Sequence, residues 1–158
     1  MSRPLIPCLL ALALASPAAA GAGGRYSGGR YSERQILDAI RQVESGGRDD
    51  CPDGDAGRSI GPYQIQKPYW QDATAYDPSL SLDGTYQDCR KRGYAEKVIR
   101  AYMRRYVSAA WKRLDEGAAE IGDAEIIART HNGGPRGAKK KSATEAYWMR
   151  VKAQLQKS

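Results

Sequence analysis

The chain has 158 residues, 41% of them hydrophobic and 27% charged, with 25 Lys and Arg against 18 Asp and Glu. That length suits one domain with a single core, and no apolar run reaches the length of a membrane span. The net charge of +7 attracts anionic polymers and acidic surfaces of every kind, so charge alone does not choose a partner.

Residues 1–20 read as an export leader. Arg3 supplies the positive start, Leu9 to Ala15 an apolar stretch, and Ala18-Ala19-Ala20 a small-residue cleavage site. Removal would leave 138 residues with 24 basic against 18 acidic side chains, in a secreted or periplasmic setting. Cys8 departs with the leader. Cys51 and Cys89 remain as an even pair in an export context, and a disulfide between them is expected, contributing about 4 kcal/mol through lost chain entropy. Without a Cys-x-x-Cys, and with His131 as the one histidine, no metal site or other cofactor is expected.

Residues 21–31, rich in Gly, Ser, Tyr and Arg, read as a flexible lead-in to a domain over residues 32–158. Ser32 and Gln35 have the spacing of a capping box, Ile36, Ala39, Ile40 and Val43 recur at helical intervals, and Gly46-Gly47 ends the helix. Residues 48–57 are turn chemistry throughout. Ser59 to Gln66 predicts a strand of a small hairpin or sheet. Residues 71–88, with Pro78, Gly84 and several Asp and Ser, predict mostly loop. Val98, Ile99, Tyr102, Met103 and Tyr106 mark the longest helix, from Tyr94 to about Trp111. A short helix follows over 123–130, broken by Asn132-Gly133-Gly134-Pro135. A last one runs from Ser142, with Glu145 as capping-box partner, to about Leu155. The expectation is an α+β domain dominated by helix with a small β-hairpin or sheet.

Within this order one acid stands out. Glu44 shares an i, i+4 row with Ile36 and Ile40, so it sits on or beside the buried face at the C-terminal end of the first helix. Burial and the negative end of the helix dipole both raise its pKa. A carboxyl that stays protonated near neutrality can give its proton to a leaving glycosidic oxygen. Asp55, between Gly54 and Ala56-Gly57, is kept hydrated and ionised by small neighbours, which suits it to stabilise or attack an oxocarbenium-like centre, or to activate water. Asp53 is its near rival, and Asp49 and Asp50 read as solvated turn residues. Taken alone, Glu44 serves equally well as a partner for Arg41, Arg48 or backbone amides, and Asp55 as an ordinary Asx turn.

The stretches Glu44-Ser45-Gly46, Asp55-Ala56-Gly57 and Gly61-Pro62-Tyr63-Gln64-Ile65 resemble those of invertebrate-type lysozymes, the destabilase family. So do Pro68-Tyr69-Trp70-Gln71-Asp72, Ala101 to Tyr106, Ala128 to Gly137, and Tyr147-Trp148. The resemblance spans about residues 32–155, with separated motifs in the right order. It implies a lysozyme-like fold that hydrolyses β-1,4 bonds of peptidoglycan between N-acetylmuramic acid and N-acetylglucosamine, with Glu44 as general acid and Asp55 as second carboxylate or nucleophile. Two departures stand beside it. The family is usually cysteine-rich, whereas this chain keeps one possible bridge, and the acid-to-acid spacing is a residue shorter, which keeps Asp53 in contention.

The resemblance also implies a sugar-binding cleft. Tyr63, Tyr69 and Trp70 offer flat rings for stacking, although core packing is expected to claim at least one of them, and Trp70 is expected to be half buried. Gln64 is suited to an acetamido group or to pairing within the sheet, and Ser59 to a sugar or to capping the strand. His131, Asn132, Gly133 and Gly134 form the second cleft element, the paired glycines allowing close backbone approach. Arg136 to Lys140 lacks the order of a phosphate loop and reads as a basic rim. Some relatives are credited with isopeptidase action by a Ser/Lys pair. Ser59 matches that serine, but Gln66 stands where the lysine would, with Lys67 one residue on and so on the opposite strand face, which predicts weak or absent isopeptidase action. The expected partner is peptidoglycan or an N-acetylglucosamine oligomer, bound by a monomer, with no nucleic acid. The alternatives are a wall- or chitin-binding module without turnover, and a basic nucleic-acid binder. The two intact acids argue against the first. The clustering of aromatics near those acids, where phosphates would be repelled, argues against the second.

Overall fold

The computed structural model describes residues 29–157. The expected leader and most of the lead-in lie outside them.

The first helix, α1 (Glu33–Ser45), begins as its sequence predicts. The Ser32 hydroxyl accepts from the Gln35 amide while the Gln35 side chain accepts from the Ser32 amide, and a left-handed Gly46 ends the helix. Ile36, Leu37, Ala39 and Ile40 are buried along one face. That face packs on α6 (Ile121–Gly133) and α7 (Lys141–Leu155), whose Ile127, Ala128, Tyr147, Trp148, Val151 and Leu155 belong to the same core. Burial of the larger aliphatic and aromatic side chains here, at roughly 1.5–3 kcal/mol each, makes this three-helix junction the main apolar contribution to holding the C-terminal end of α1 in place.

The segment after the acid-rich turn departs from the expected single strand. It folds back on itself as two short strands, β1 (Ser59–Ile60) and β2 (Ile65–Gln66), paired antiparallel with Ser59 opposite Gln66 and Ile60 opposite Ile65. The reversal is built by Gly61 at φ 72 and Gln64 at φ 49. Gly61 is irreplaceable here on two counts, because a Cβ would stand 2.2 Å from the Cys89 carbonyl oxygen and φ lies in the left-handed region.

Residues 71–88, expected as loop, are mostly helical. α2 (Lys67–Tyr76) starts on Pro68, a residue pre-set for the first turn of a helix, and buries Tyr69 and Ala73. α3 (Ser79–Asp83) is opened by Asp77, whose carboxylate accepts from the Ser79 amide at 3.1 Å and its hydroxyl at 2.6 Å. A 3₁₀ turn over Tyr86–Arg90 is capped reciprocally by Thr85 and Asp88. The Pro, Asp and Ser that suggested loop are helix starters and caps. The expected long helix is two: α4 (Arg92–Tyr106) and α5 (Ser108–Asp115), separated at Val107, whose φ of −137° and ψ of 44° leave the helical region. α6 is longer than expected, taking in Asn132 and Gly133 before Gly134-Pro135 turns the chain. Glu145 does not cap α7. It binds Arg129 at 2.5 Å, joining α6 to α7.

The outcome is a predominantly helical α+β fold with one two-stranded sheet among the described residues. No described helix is long and apolar enough to cross a membrane.

The expected Cys51–Cys89 disulfide is not present; both are free thiols. Cys89 is fully buried on the 3₁₀ turn, where burial pushes its pKa up to about 12, while the Cys51 sulfur lies 3.7 Å from the Gln64 side-chain amide. Iodoacetamide should therefore modify Cys51 in the native protein and Cys89 only after denaturation. Intact-mass measurement checks this, and a mass two hydrogens low with neither thiol reactive would restore the bridge.

Candidate active site

A groove of about 480 Å³ lies where the end of α1, the hairpin, the start of α2 and the α6–α7 connection meet. Glu44, Asp55, Ser59, Gln64, Tyr69, His131, Asn132 and Gly134 all line it. Of the sequence-predicted residues, Tyr63 and Gly133 do not. Tyr63 is fully buried, and its hydroxyl donates to Glu96 at 2.8 Å. Gly133 faces inward, where a Cβ would meet the Thr144 methyl at 2.7 Å. Trp70 is half-buried away from the groove, its indole donating to Tyr94.

Glu44 sits in the last turn of α1, with its side chain 18% exposed. Burial raises its pKa from the ordinary 4.5 to about 7, against the opposing pull of a Tyr147 hydrogen bond and the Arg150 charge; Asp55 across the groove adds to the rise. The Tyr147 hydroxyl donates to Oε1 at 2.7 Å. Oε2 has no hydrogen-bond partner among the described residues, so it is the oxygen placed to carry a proton.

Asp55 has the opposite surroundings. It opens a turn in which Asp55, Ala56 and Gly57 have φ of 50°, 57° and 84°, a left-handed run that costs about 1–2 kcal/mol for each non-glycine residue. The turn is held by the Gly54–Ser59 backbone pair and by the Gly57 amide on the Gly54 carbonyl. Ser59 Oγ donates to Asp55 Oδ2 at 2.5 Å and Gln66 Nε2 to the same oxygen at 3.3 Å, and these hydrogen bonds lower the Asp55 pKa. The rival Asp53 is outside the groove, paired with Arg90 at 2.5 Å.

His131 is brought to the groove, but both ring nitrogens are engaged inside the protein. Nε2 lies 3.1 Å from the Tyr63 carbonyl and Nδ1 3.4 Å from the Tyr69 hydroxyl. Burial lowers its pKa to about 4, so the ring is neutral, and the carbonyl contact assigns the proton to Nε2. Its 3.6 Å approach to Glu44 is therefore no ion pair. His131 pins the hairpin and α2 to α6, and it does not reach Asp55. Gln64 similarly turns its amide inward, to the Gly61 and Pro52 carbonyls. Tyr69 stacks on Tyr102 with centroids 3.5 Å apart and forms the groove floor.

Sequence reasoning missed Gln66, Asp72, Tyr102 and Arg150 in the lining, and Tyr147 behind Glu44. Tyr147 and Arg150, three apart on α7, present one face toward Glu44; the Tyr147-Trp148 pair was the available signal. Among the described residues no cluster of three His, Cys, Asp or Glu could hold a metal ion.

Comparison with known proteins gives one family model, Destabilase, matching residues 33–154. The chain is 37% identical to Lysozyme 1 of Crassostrea virginica over 133 residues, covering 83% of this chain and 64% of that protein. It is 36% identical to the lysozyme of Meretrix lusoria over 80% of this chain and 92% of that protein. It is 33% identical to invertebrate-type lysozyme 6 of Caenorhabditis elegans over 77% and 86%. The crystal structure of Aeromonas hydrophila PliI in complex with Meretrix lusoria lysozyme matches with a TM-score of 0.58 and 32% identity, over 79% of this chain and 92% of that one. The chain thus spans just under two thirds of the oyster protein and most of the others.

The raised Glu44 pKa has a consequence for stability. Between pH 4.5 and 7 the unfolded chain has released this proton and the folded chain still holds it, so stability falls as pH rises across that window, by up to about 3 kcal/mol, and is level outside it. Glu44→Gln should be more stable than the parent at pH 8 by a comparable amount and not at pH 4. Urea unfolding at the two pH values measures the difference.

Proposed function

The chain belongs to the Destabilase family of invertebrate-type lysozymes, and on that premise we propose that it is a glycoside hydrolase cutting the β-1,4 bond between N-acetylmuramic acid and N-acetylglucosamine. The observation that carries the reading is the divergence of two facing acids in one groove. Burial pushes Glu44 to about 7, while hydrogen bonds from Ser59 and Gln66 hold Asp55 below the usual aspartate range. Over the intervening pH range one is an acid and the other a carboxylate, which is the charge state that glycoside cleavage needs.

Glu44 gives the proton on Oε2 to the leaving glycosidic oxygen, and Tyr147 on Oε1 then stabilises the carboxylate left behind. Asp55, with Oδ2 occupied by Ser59 and Gln66, offers Oδ1 to the positive charge that develops on the sugar, or to its anomeric carbon. Water then adds to the anomeric carbon as the Glu44 carboxylate takes one of its protons, which frees the sugar from Asp55 and returns Glu44 to its acid form. Gln66 also bears on the isopeptidase question. It faces Ser59 across the strand pair with Nε2 3.3 Å from the serine oxygen, so the hydroxyl is committed to Asp55 and met by an uncharged amide. The leader pattern supports a secreted or periplasmic location, and the protein acts as a monomer on a wall polymer.

Clearing of a peptidoglycan suspension tests the assignment. Glu44→Gln should lose at least about 100-fold in rate with its fold intact, the scale of a lost general acid. Asp55→Asn should also be severely impaired and Asp53→Asn near the parent; the reverse order for the two aspartates would overturn the choice of Asp55.

The profile of kcat/KM against pH should fall above about 7 as Glu44 ionises and, at the acid end, only below the ordinary aspartate range. Tyr147→Phe removes a hydrogen bond that favours the Glu44 carboxylate, so the alkaline limb should move to higher pH. A limb that stays in place would remove Tyr147 from the account.

A further inference from the structure

One strong cation lines the groove among the described residues, Arg150, since the other basic residue there, His131, is neutral. Its situation differs from that of the buried and part-buried arginines elsewhere in the fold. Arg41 pairs with Asp49, Arg92 with Asp38 and Glu96, and Arg129 with Glu125 and Glu145. Arg150 has no carboxylate within ion-pair distance among the described residues. Its guanidinium lies over the Tyr147 ring, 5.7 Å from the centroid, close enough for its charge to favour the Glu44 carboxylate but without a bond to it. The ring contact holds a planar five-donor fork at the groove with its hydrogen-bonding capacity unspent.

Asp55 and Asp72 line the same groove as carboxylates, beside the protonated Glu44. An anionic glycan is repelled by such a wall unless a cation offsets it, and an uncharged glycan is not. The two β-1,4 polymers of N-acetylated amino sugars differ in this respect. Chitin-type chains carry no acid. Muramic residues carry a 3-O-lactyl carboxyl, either free or extended by a stem peptide with carboxylates of its own.

We propose that Arg150 is a carboxylate receptor in the groove, by which the enzyme prefers muramic-acid-bearing glycan to chitin-type glycan. This rests on the hydrolase reading above and adds to it the group on the substrate that is recognised. Guanidinium–carboxylate contacts are charge-assisted and often bidentate, so the preference should depend on the fork and not on charge alone.

The test compares the parent, Arg150→Gln and Arg150→Lys on three substrates: N-acetylglucosamine hexamer, peptide-free glycan strands with free lactyl carboxylates, and peptide-bearing strands. The ratio of kcat/KM on a carboxylate-bearing strand to that on the hexamer should fall about tenfold in Arg150→Gln and recover in part in Arg150→Lys. A fall confined to peptide-free strands identifies the lactyl carboxylate, and one confined to peptide-bearing strands the stem peptide. Unchanged ratios overturn the proposal, as does an equal fall on all three substrates, which is what loss of structure or an effect through Glu44 alone produces. Calorimetric binding of the same glycans to Glu44→Gln, with and without Arg150→Gln, reads the preference without turnover. Equal affinities with and without the arginine sink the receptor, whereas a parent protein that cleaves none of the three sinks the hydrolase reading on which it rests.

Discussion

The burial of one carboxyl at the junction of α1 and α7 is the constraint on which the site depends. Ile36, Leu37 and Ile40 commit α1 to the core, and the helical repeat then carries Glu44, in the last turn of the helix, to the same interface. There it meets Tyr147, a residue 103 positions later in the chain. An ionised carboxylate in that position lacks the hydration it would have in water, and a single neutral hydroxyl replaces only part of it. The proton is retained because the packing is strong enough to impose the cost, and the same packing keeps the group from swinging out to solvent.

Asp55 is organised by a different kind of force. No hydrophobic face fixes it. It stands at the head of a left-handed turn whose strain is offset by the Gly54–Ser59 pairing and by hydrogen bonds from Ser59 and Gln66, two residues that face each other across the hairpin. The small sheet therefore does two things. It closes one wall of the groove, and it supplies from one strand each the donors that keep Asp55 ionised. His131 ties this hairpin to the helical part through the Tyr63 carbonyl, and so couples the position of the second acid to the helix that packs behind the first. As a neutral donor it does this without adding a positive charge that would pull the Glu44 proton away.

What was legible in the sequence follows from the range of the interactions. The capping box at Ser32, the apolar row leading to Glu44 and the small neighbours of Asp55 are local, and each predicted its outcome. The helices over residues 71–88 were hidden because Pro78, Gly84 and the Asp and Ser residues there are read as loop formers, although Pro78 is the N-cap of α3 and Asp77 accepts from Ser79 at its start. Arg90 pairs with Asp53 from 37 residues away, outside the groove that Asp55 lines, a contact that no local spacing reports. Tyr147, Arg150 and the inward turn of the Gln64 amide share that character. They depend on which helix packs on which, and no spacing within one segment reports it. The expected disulfide failed for the same reason: an even pair of cysteines says nothing of whether both face one another, and here Cys89 points into the core.

The positive charge of the chain and the acidity of its groove are reconciled by where the cations go. Arginines at 34, 41, 90, 92, 100, 104, 113 and 129 are all spent on intramolecular carboxylates. Arg136, Lys139, Lys140 and Lys141 have no carboxylate partner among the described residues, and they follow directly on Gly134 and Pro135, which line the groove. Four unpaired positive charges thus stand together on one rim, with others, Arg48, Arg58 and Lys67 among them, placed elsewhere. At physiological ionic strength the rim's field reaches about 8 Å, far enough to draw an anionic polymer to it. Attraction is assigned to the loop and chemistry to the groove, so the net charge that seemed uninformative by itself acquires a direction once the ion pairs are subtracted.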